Sequence, residues 1–220
     1  MTNLTLEQFE NGIQLYQDGN LYKFTSDSIK LAKFCKVKHN DNVLDMCAGS
    51  GVVGLYLYSL VNCNKIYFNE IQPQMCELIK KNIKLNKINS KTKILCKNLS
   101  DLTCNDFEKP LDVVVCNPPY FKVNGKINQD QNVAICRHEI ATNLGEIISI
   151  TSKIIKSKGR FYLVLPASRL FECAKLLNDN IFEIKRVELY NSNGNATVCL
   201  IESVKNGNSG VTIKILKENL

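Results

Sequence analysis

Short apolar runs alternate with amphipathic segments along the chain from residue 42 onward. Apolar runs bounded by turn-forming residues are typical of buried strands, whereas apolar positions three and four apart are typical of helices that cover a sheet. The predicted strands are 43–46, 65–69, 93–96, 112–116, 160–165, 182–190 and 196–203. The predicted helices are 26–36, 52–61, 73–86, 144–155 and 167–177. This alternation predicts an α/β fold in which a mostly parallel sheet carries helices on both faces.

The end of the chain departs from this alternation, because only Asn-Ser-Asn-Gly-Asn at 191–195 separates the last two predicted strands. Such a turn is typical of a hairpin, so we expect a seven-stranded sheet with an antiparallel C-terminal hairpin at its edge. The length suits a single domain over 1–220, with a helical lead-in at 1–40 and the core at 41–220. Residues 121–137 show no clear periodicity, and loops of that length in compact domains are usually functional or disordered.

A glycine-rich turn, Gly-Ser-Gly-Val-Val-Gly at 49–54, follows the first predicted core strand. Glycines at a strand-to-helix turn let a ligand approach the backbone closely, although this spacing also matches the dinucleotide fingerprint, which recurs by chance. Asp45 favours one ligand, because its carboxylate would repel a pyrophosphate and attract the ammonium and sulfonium groups of S-adenosylmethionine. Glu70 ends the second core strand, where a carboxylate can accept the ribose hydroxyls of either ligand.

The tetrapeptide Asn-Pro-Pro-Tyr at 117–120 follows the fourth core strand, at the edge where open parallel sheets bind ligands. The lone pair of an exocyclic amine is delocalised, and two oxygen acceptors on its N–H groups would direct that pair towards a methyl donor. The Asn117 side chain and the Pro118 carbonyl can supply these acceptors, whose dipoles also stabilise the charge developing on nitrogen. Tyr120 offers a face for base stacking, worth roughly 1–3 kcal/mol. Cys116 points to the opposite face and is expected in the core.

With both motifs in place, the chain resembles the class I methyltransferases, and most of all the tRNA adenine-N6 methyltransferases that modify an adenosine beside the anticodon of valine tRNA. The segments Leu-Tyr-Lys-Phe-Thr-Ser-Asp-Ser at 21–28, Arg-His-Glu at 137–139 and Thr-Val-Cys-Leu-Ile-Glu at 197–202 also carry this resemblance. It implies a Rossmann-like fold, S-adenosylmethionine as cofactor, S-adenosylhomocysteine as product and tRNA as substrate.

The resemblance also implies roles for individual residues. The implied catalytic residues are Asn117, Pro118 and Tyr120. The implied cofactor contacts are Phe24, Thr25, Asp27, Asp45, Gly49, Gly51, Glu70, Ile71, Asn98, Leu99 and Asn117. The superfamily often has an acidic residue near the cofactor adenine where this chain has Asn98, whose amide could still bind an adenine edge. For His138 and Glu139 we expect a structural role, at the start of a helix.

The net charge of +7 is compatible with a polyanionic partner, but four arginines among 28 basic residues also indicate a lysine-rich composition without functional meaning. A basic flank of the third predicted helix could contact phosphates or could be a solvated face; its lysines are Lys80, Lys81, Lys84, Lys87, Lys91 and Lys93. The loop at 121–137 lies nearer the predicted pocket. We therefore expect charge reversal at Lys122 and Lys126 to weaken tRNA binding and to spare cofactor binding, and unchanged RNA affinity would contradict this placement.

Ten cysteines are scattered without a C-x-x-C pair, which predicts reduced thiols and no metal site. The chain has neither an uncharged apolar stretch of eighteen residues nor a signal-peptide pattern at its start. These features predict a cytoplasmic protein without a membrane segment. The sequence does not predict an oligomeric state.

Three other functions are compatible with these motifs. Protein glutamine-N5 methyltransferases use the same tetrapeptide on a similar nitrogen, but they usually place a helical domain before the glycine loop, whereas 44 residues precede Asp45 here. DNA adenine methyltransferases usually add a recognition domain, for which the chain has little room. A non-catalytic RNA-binding module on this fold would not need an intact Asn-Pro-Pro-Tyr. The sequence therefore favours methylation of an adenine in tRNA.

Overall fold

A computed structural model describes residues 4–19, 21, 23–118 and 143–217. Two short strands, β1 (Leu4–Gln8) and β2 (Gln14–Asp18), pair as an antiparallel hairpin. The remaining strands form one eight-stranded sheet: β3 (Asn42–Met46), β4 (Lys65–Glu70), β5 (Thr92–Cys96), β6 (Leu111–Cys116), β7 (Ile155–Pro166), β8 (Phe182–Ser192), β9 (Asn195–Lys205) and β10 (Thr212–Lys217). Their order is β10-β8-β9-β7-β6-β3-β4-β5, and β9 alone among them runs antiparallel to its neighbours.

Helices cover both faces of this sheet, as the apolar spacing predicts. They are α1 (Ser26–Phe34), α2 (Val52–Val61), α3 (Pro73–Leu85), α4 (Leu144–Ile154) and α5 (Leu170–Asp179). The first three pack on one face in a core that includes Leu31, Leu55 and Ile79, and the last two pack on the other around Ile147 and Cys173. None of the helices described is long and apolar enough to cross a membrane.

Two parts of the predicted architecture are wrong. The sheet has an eighth strand, β10, which pairs parallel with β8 and takes the edge position that was predicted for the hairpin β8–β9. It buries little surface, since Ile213 and Ile215 are 58% and 70% exposed, and only the alternation in Thr-Ile-Lys-Ile-Leu-Lys could have indicated it. The lead-in is also not only helical, because the hairpin β1–β2 precedes α1. The predicted turn between β8 and β9 is confirmed, since Asn193 and Gly194 both have positive φ, as a two-residue hairpin turn requires.

Asparagine side chains of α3 and of its C-cap hold the N-terminal hairpin against the rest of the protein. The Asn82 amide accepts from the Tyr16 backbone N–H at 2.7 Å and donates to the Tyr16 carbonyl at 3.1 Å. Asn86 makes the equivalent pair of bonds with Gln14, at 3.0 and 2.7 Å. Each amide therefore satisfies the N–H and the carbonyl of one strand residue, as a neighbouring strand would. Asn82 also donates to the carbonyl of Ser50, which ties the hairpin to the glycine turn.

The strand order creates a switch point between β3 and β6. From β3 the chain builds the sheet outward through β4 and β5, and it then returns to place β6 on the other side of β3. Asp45 pairs with Val115 and Met46 pairs with Cys116, so the carboxyl ends of these two strands are level. Ligands of open α/β sheets bind at such a point, and here the glycine turn and the tetrapeptide leave the sheet side by side.

The expectation of reduced cysteines is wrong for one pair, because Cys76 and Cys96 form a disulfide with their Cα atoms 6.0 Å apart. Cys76 lies in the first turn of α3 and Cys96 ends β5, so residues twenty positions apart are brought together by the packing of that helix on the sheet edge. Seven other described cysteines are free, and four of them are buried. Cys116 is fully buried, as its strand position predicts, and burial raises the pKa of its thiol.

Candidate active site

Asp45 is a buried carboxylate beneath the start of α2. Asp45 is 1% exposed, and its Oδ2 accepts a 2.8 Å hydrogen bond from the backbone N–H of Gly54. Burial raises the pKa of Asp45 to about 8; the Gly54 N–H lowers it in part, and the neighbouring charge of Glu70 raises it further. A carboxyl group with this pKa is poised to ionise when a positive charge arrives beside it.

Glu70 ends β4 and shapes the turn on either side of it. Oε2 accepts from the Gly49 N–H at 2.9 Å, while Oε1 accepts from the N–H groups of Ile71 and Gln72 at 2.9 and 3.0 Å. Burial raises the pKa of Glu70, and these three backbone donors lower it in part. The side chain of Ile71 is 38% exposed next to this carboxylate. Glu70 therefore couples the glycine turn to the carboxyl end of β4, with Ile71 at the rim.

The two carboxylates fit the cofactor implied by the sequence. Neither Asp45 nor Glu70 forms an ion pair with any side chain that the structure describes, although both are at least 95% buried. Buried charges are normally paired, so the site suits a ligand that brings its own positive charge and its own hydroxyl groups. S-adenosylmethionine has an ammonium, a sulfonium and two ribose hydroxyls, whereas a pyrophosphate would add negative charge to the same place.

The glycines of the turn have two different roles. Gly49 has a φ of +55°, and a Cβ at this position would meet no described atom within 4 Å, so the backbone faces open space there. Gly51 has a φ of +81° at the start of α2, and its Cβ would lie 3.3 Å from the Phe68 ring and 3.5 Å from Ile79. Gly49 is thus placed for close approach of a ligand, while Gly51 serves the packing of α2. A cofactor contact at Gly51 stays a prediction.

Gly54→Ala should destabilise the protein, because the added Cβ would lie 2.5 Å from Phe68 Cε1 and 3.2 Å from Asp45 Oδ2. Phe68 is fully buried and has no room to withdraw. Overpacking of this kind costs about 1–3 kcal/mol, which lowers the melting temperature by several degrees. Thermal unfolding without ligand measures the effect. Gly145→Ala is the control, since its Cβ meets the exposed cap Asn143 at 3.3 Å; equal melting temperatures for the two variants would contradict the packing argument.

Asn117 and Pro118 lie at the carboxyl end of β6, next to the glycine turn. Asn117 is half-buried, and its Nδ2 donates a 2.8 Å hydrogen bond to Oγ of Ser28 in the first turn of α1. Pro118 is buried. The register with β3 puts Asn117 on the same face of the sheet as Asp45, two positions further along. Tyr120, Lys122, Lys126, His138 and Glu139 lie outside the described residues.

The segment before α1 is anchored to the core. Phe24 packs against Phe9 with ring centroids 5.6 Å apart, and it joins the core beneath α1 and α2. Thr25 is the N-cap of α1, although its side chain makes no capping bond. Asp27 pairs with Lys30 at 3.4 Å. These contacts give each residue a structural role, and their predicted cofactor contacts stay predictions.

Asn98 and Leu99 follow β5 on the far side of Glu70. The Asn98 Oδ1 accepts from the Ser100 N–H at 3.1 Å and so starts the short helical turn Leu99–Asp101. Leu99 is 4% exposed and packs in the core. Because the Asn98 Oδ1 already accepts from Ser100, an adenine edge would meet the amino group of Asn98. This contact with the cofactor adenine stays a prediction. Sequence reasoning missed Ser28, because no pattern within 21–28 indicates which of its side chains reaches β6.

Comparison with known proteins agrees with this geometry. The model of the TRM5/TYW2 methyltransferase domain matches residues 7–134. A tRNA1(Val) (adenine(37)-N6)-methyltransferase of Flavobacteriaceae bacterium (strain 3519-10) is 26% identical, over 90% of this chain and 84% of that protein. The release factor glutamine methyltransferase of Mycoplasma mycoides subsp. mycoides SC is 33% identical, over 59% of this chain and 48% of that protein. The crystal structure of M. jannaschii TYW2 in complex with AdoMet superposes with a TM-score of 0.63 at 16% identity, over 93% of this chain and 88% of that one.

These matches confirm the predicted Rossmann-like fold and the resemblance to class I methyltransferases. The matched family segment contains the glycine turn, both buried carboxylates and the start of the tetrapeptide, which are the features that the structure brings together at the switch point. Since the family model covers more than half of the 220 residues, the chain belongs to the TRM5/TYW2 methyltransferase domain family.

Proposed function

We propose that the protein transfers the methyl group of S-adenosylmethionine to N6 of an adenine in tRNA, with the adenosine beside the anticodon of valine tRNA as its target. The observation that carries the proposal is the position of Asn117, which leaves β6 beside the glycine turn and on the same face of the sheet as Asp45. A relative that aligns with 90% of the chain and is named for this reaction supports the choice of substrate.

We assign cofactor binding and alignment of the target nitrogen to different residues of the site. Asp45 and Glu70 bind the positive and hydroxyl groups of the cofactor, and Gly49 lets it approach the backbone. When bound, S-adenosylmethionine supplies an electrophilic methyl group on a positively charged sulfur. The Asn117 oxygen and the Pro118 carbonyl accept the two N6 hydrogens, which turns the nitrogen lone pair towards that methyl group. Their dipoles are already oriented for the positive charge that develops on nitrogen as the bond from sulfur to the methyl group breaks. The methylated nitrogen then carries one proton too many, which is acidic enough to pass to solvent without a strong general base.

The adenine must leave its stack before it can enter this site. We propose that Tyr120 stacks on the extruded base, by its place two residues after Pro118 in the tetrapeptide. Lys122 and Lys126 would bind phosphates of the tRNA, together with the basic flank that runs from α3 to β5. The exposed lysines of this flank are Lys80, Lys81, Lys84, Lys87 and Lys93. A tRNA substrate also favours a cytoplasmic location.

Methylation of a protein glutamine is the second candidate, because the glutamine methyltransferase of Mycoplasma mycoides is 33% identical over its aligned segment. An amide nitrogen poses the same electronic problem as N6 of adenine, and the same two oxygen acceptors would solve it. That relative matches 59% of the chain, whereas the tRNA methyltransferase matches 90%, which favours the RNA substrate.

A labelling experiment distinguishes methylation of tRNA adenine from methylation of a protein glutamine. Purified protein is incubated with methyl-labelled S-adenosylmethionine and either unmodified total tRNA or purified release factor, and each product is digested to nucleosides or amino acids. We expect label in N6-methyladenosine, incorporated about a hundredfold or more slowly when Asn117→Ala replaces the wild type. Label in N5-methylglutamine would favour the second candidate. Label in neither product, with thermal stabilisation by the cofactor intact, would reject both substrates.

A further inference from the structure

A buried serine on α1 contacts the asparagine of the tetrapeptide. Ser28 is 3% exposed, and its Oγ accepts the 2.8 Å hydrogen bond from Nδ2 of Asn117. The two residues are 89 positions apart, so this contact exists only because α1 packs over the carboxyl end of β6. Neither the glycine turn nor the tetrapeptide assigns a role to Ser28.

The helix that carries Ser28 is held firmly against the sheet. Leu31 and Ala32 on the same helix are fully buried. At the C-terminal end of α1, the Arg186 guanidinium lies 3.8 Å from the centroid of the Phe34 ring, and Arg186 is itself fixed by a 2.9 Å bond to Glu202. A hydroxyl on so well-packed an element provides a fixed point for a neighbouring side chain.

In the structure, the bond to Ser28 holds the amino end of the Asn117 amide towards α1. The amide plane rotates about the Cβ–Cγ bond, and rotamers of terminal amides are broad. With Nδ2 directed at α1, Oδ1 points to the opposite end of the amide plane, away from the helix. The proposed reaction needs this oxygen, and not the amino group, to meet N6, because an N–H facing N6 would neither accept its hydrogens nor stabilise its developing charge.

We propose that Ser28 is a positioning residue for methyl transfer: it binds the amino end of the Asn117 amide and thereby presents the oxygen end to the target nitrogen. This inference rests on the proposed function of Asn117. It assigns to α1, which precedes the glycine turn, a role in the chemical step.

Ser28→Ala tests the inference through the split between kcat and KM. We expect kcat to fall about tenfold, because a misaligned group costs rate by loss of preorganisation, while the KM for S-adenosylmethionine and the thermal shift it causes stay near wild type. Ser203→Ala is the matched control, since Ser203 is also fully buried and, among the residues that the structure describes, its hydroxyl bonds to the Phe161 carbonyl within the sheet, at 3.3 Å. Its kcat should not change.

A double-mutant cycle with Asn117→Ala separates positioning from structure. If Ser28 acts through Asn117, Ser28→Ala should lower kcat no further once Asn117 is alanine. An unchanged kcat in Ser28→Ala, or a tenfold loss that persists in the double variant, would overturn the inference. Full activity in Asn117→Ala alone would instead reject the proposed mechanism. Should Ser28→Ala fail to fold, Ser28→Cys keeps the side-chain size and weakens the acceptor, and it enters the same cycle.

Discussion

Asn117→Ala should lower the turnover of methyl transfer by about a hundredfold or more. The variant lacks one of the two oxygen acceptors on the target nitrogen, and removal of a single preorganised polar group of this kind costs a factor of about 10²–10³ in related catalytic arrangements. Since Asn117 is half-buried at the end of β6 and not in the core, the fold should persist. Single-turnover kinetics with saturating cofactor and tRNA measure the chemical step directly.

The control for this experiment is Asn180→Ala. Asn180 follows α5 and precedes β8, which runs in the same direction as β6. It therefore lies at the amino ends of these strands, whereas Asn117 lies at their carboxyl ends. Its side chain bonds only locally, to the Leu176 carbonyl at 2.9 Å. We expect wild-type turnover for Asn180→Ala and continued stabilisation of both variants by S-adenosylmethionine. An Asn117→Ala protein with full turnover would show that the tetrapeptide does not align the nitrogen.

Asp45→Asn should separate stability from cofactor binding. Burial raises the pKa of Asp45 to about 8 in the folded protein, whereas in the unfolded chain it is near the ordinary value of about 4. The folded state therefore binds the proton more tightly, so the stability that this proton contributes is lost as pH rises from about 4 through about 8. Asparagine cannot ionise and can still accept from the Gly54 N–H. The variant should thus be more stable than the wild type above pH 8 but should bind S-adenosylmethionine at least about tenfold more weakly.

Thermal unfolding between pH 5 and pH 9, together with titration calorimetry of the cofactor, measures both effects. The stability of the wild type relative to the variant should fall across this range. The cofactor amine and Glu70 are present in both proteins, so the difference between the two proteins in the pH dependence of binding reports Asp45. If Asp45→Asn binds the cofactor as tightly as the wild type at pH 8, the carboxylate does not meet a positive charge of the ligand.

The helices and strands of the core follow closely from sequence, because their signals are local. The α2 helix has the bounds that apolar spacing predicts, and α3 and α4 each end one residue earlier than predicted. Strand β10 was missed because both of its faces are largely exposed, so burial adds no apolar run to the pattern. The hairpin β1–β2 was missed although its signal is also local, since the Asn-Gly pair at 11–12 between alternating apolar residues is typical of a hairpin turn.

By itself the sequence determined the type of fold, the glycine turn, the acidic positions Asp45 and Glu70 and the tetrapeptide at 117–120, because each is a pattern of neighbouring residues with its own backbone or chemical requirement. Only the tertiary structure decided which distant groups meet: Cys76 with Cys96, and Ser28 with Asn117. It also decided the charge of the site, since the pKa of Asp45 depends on its burial under α2. Contacts and burial depend on strand order and helix packing, which a local pattern does not contain.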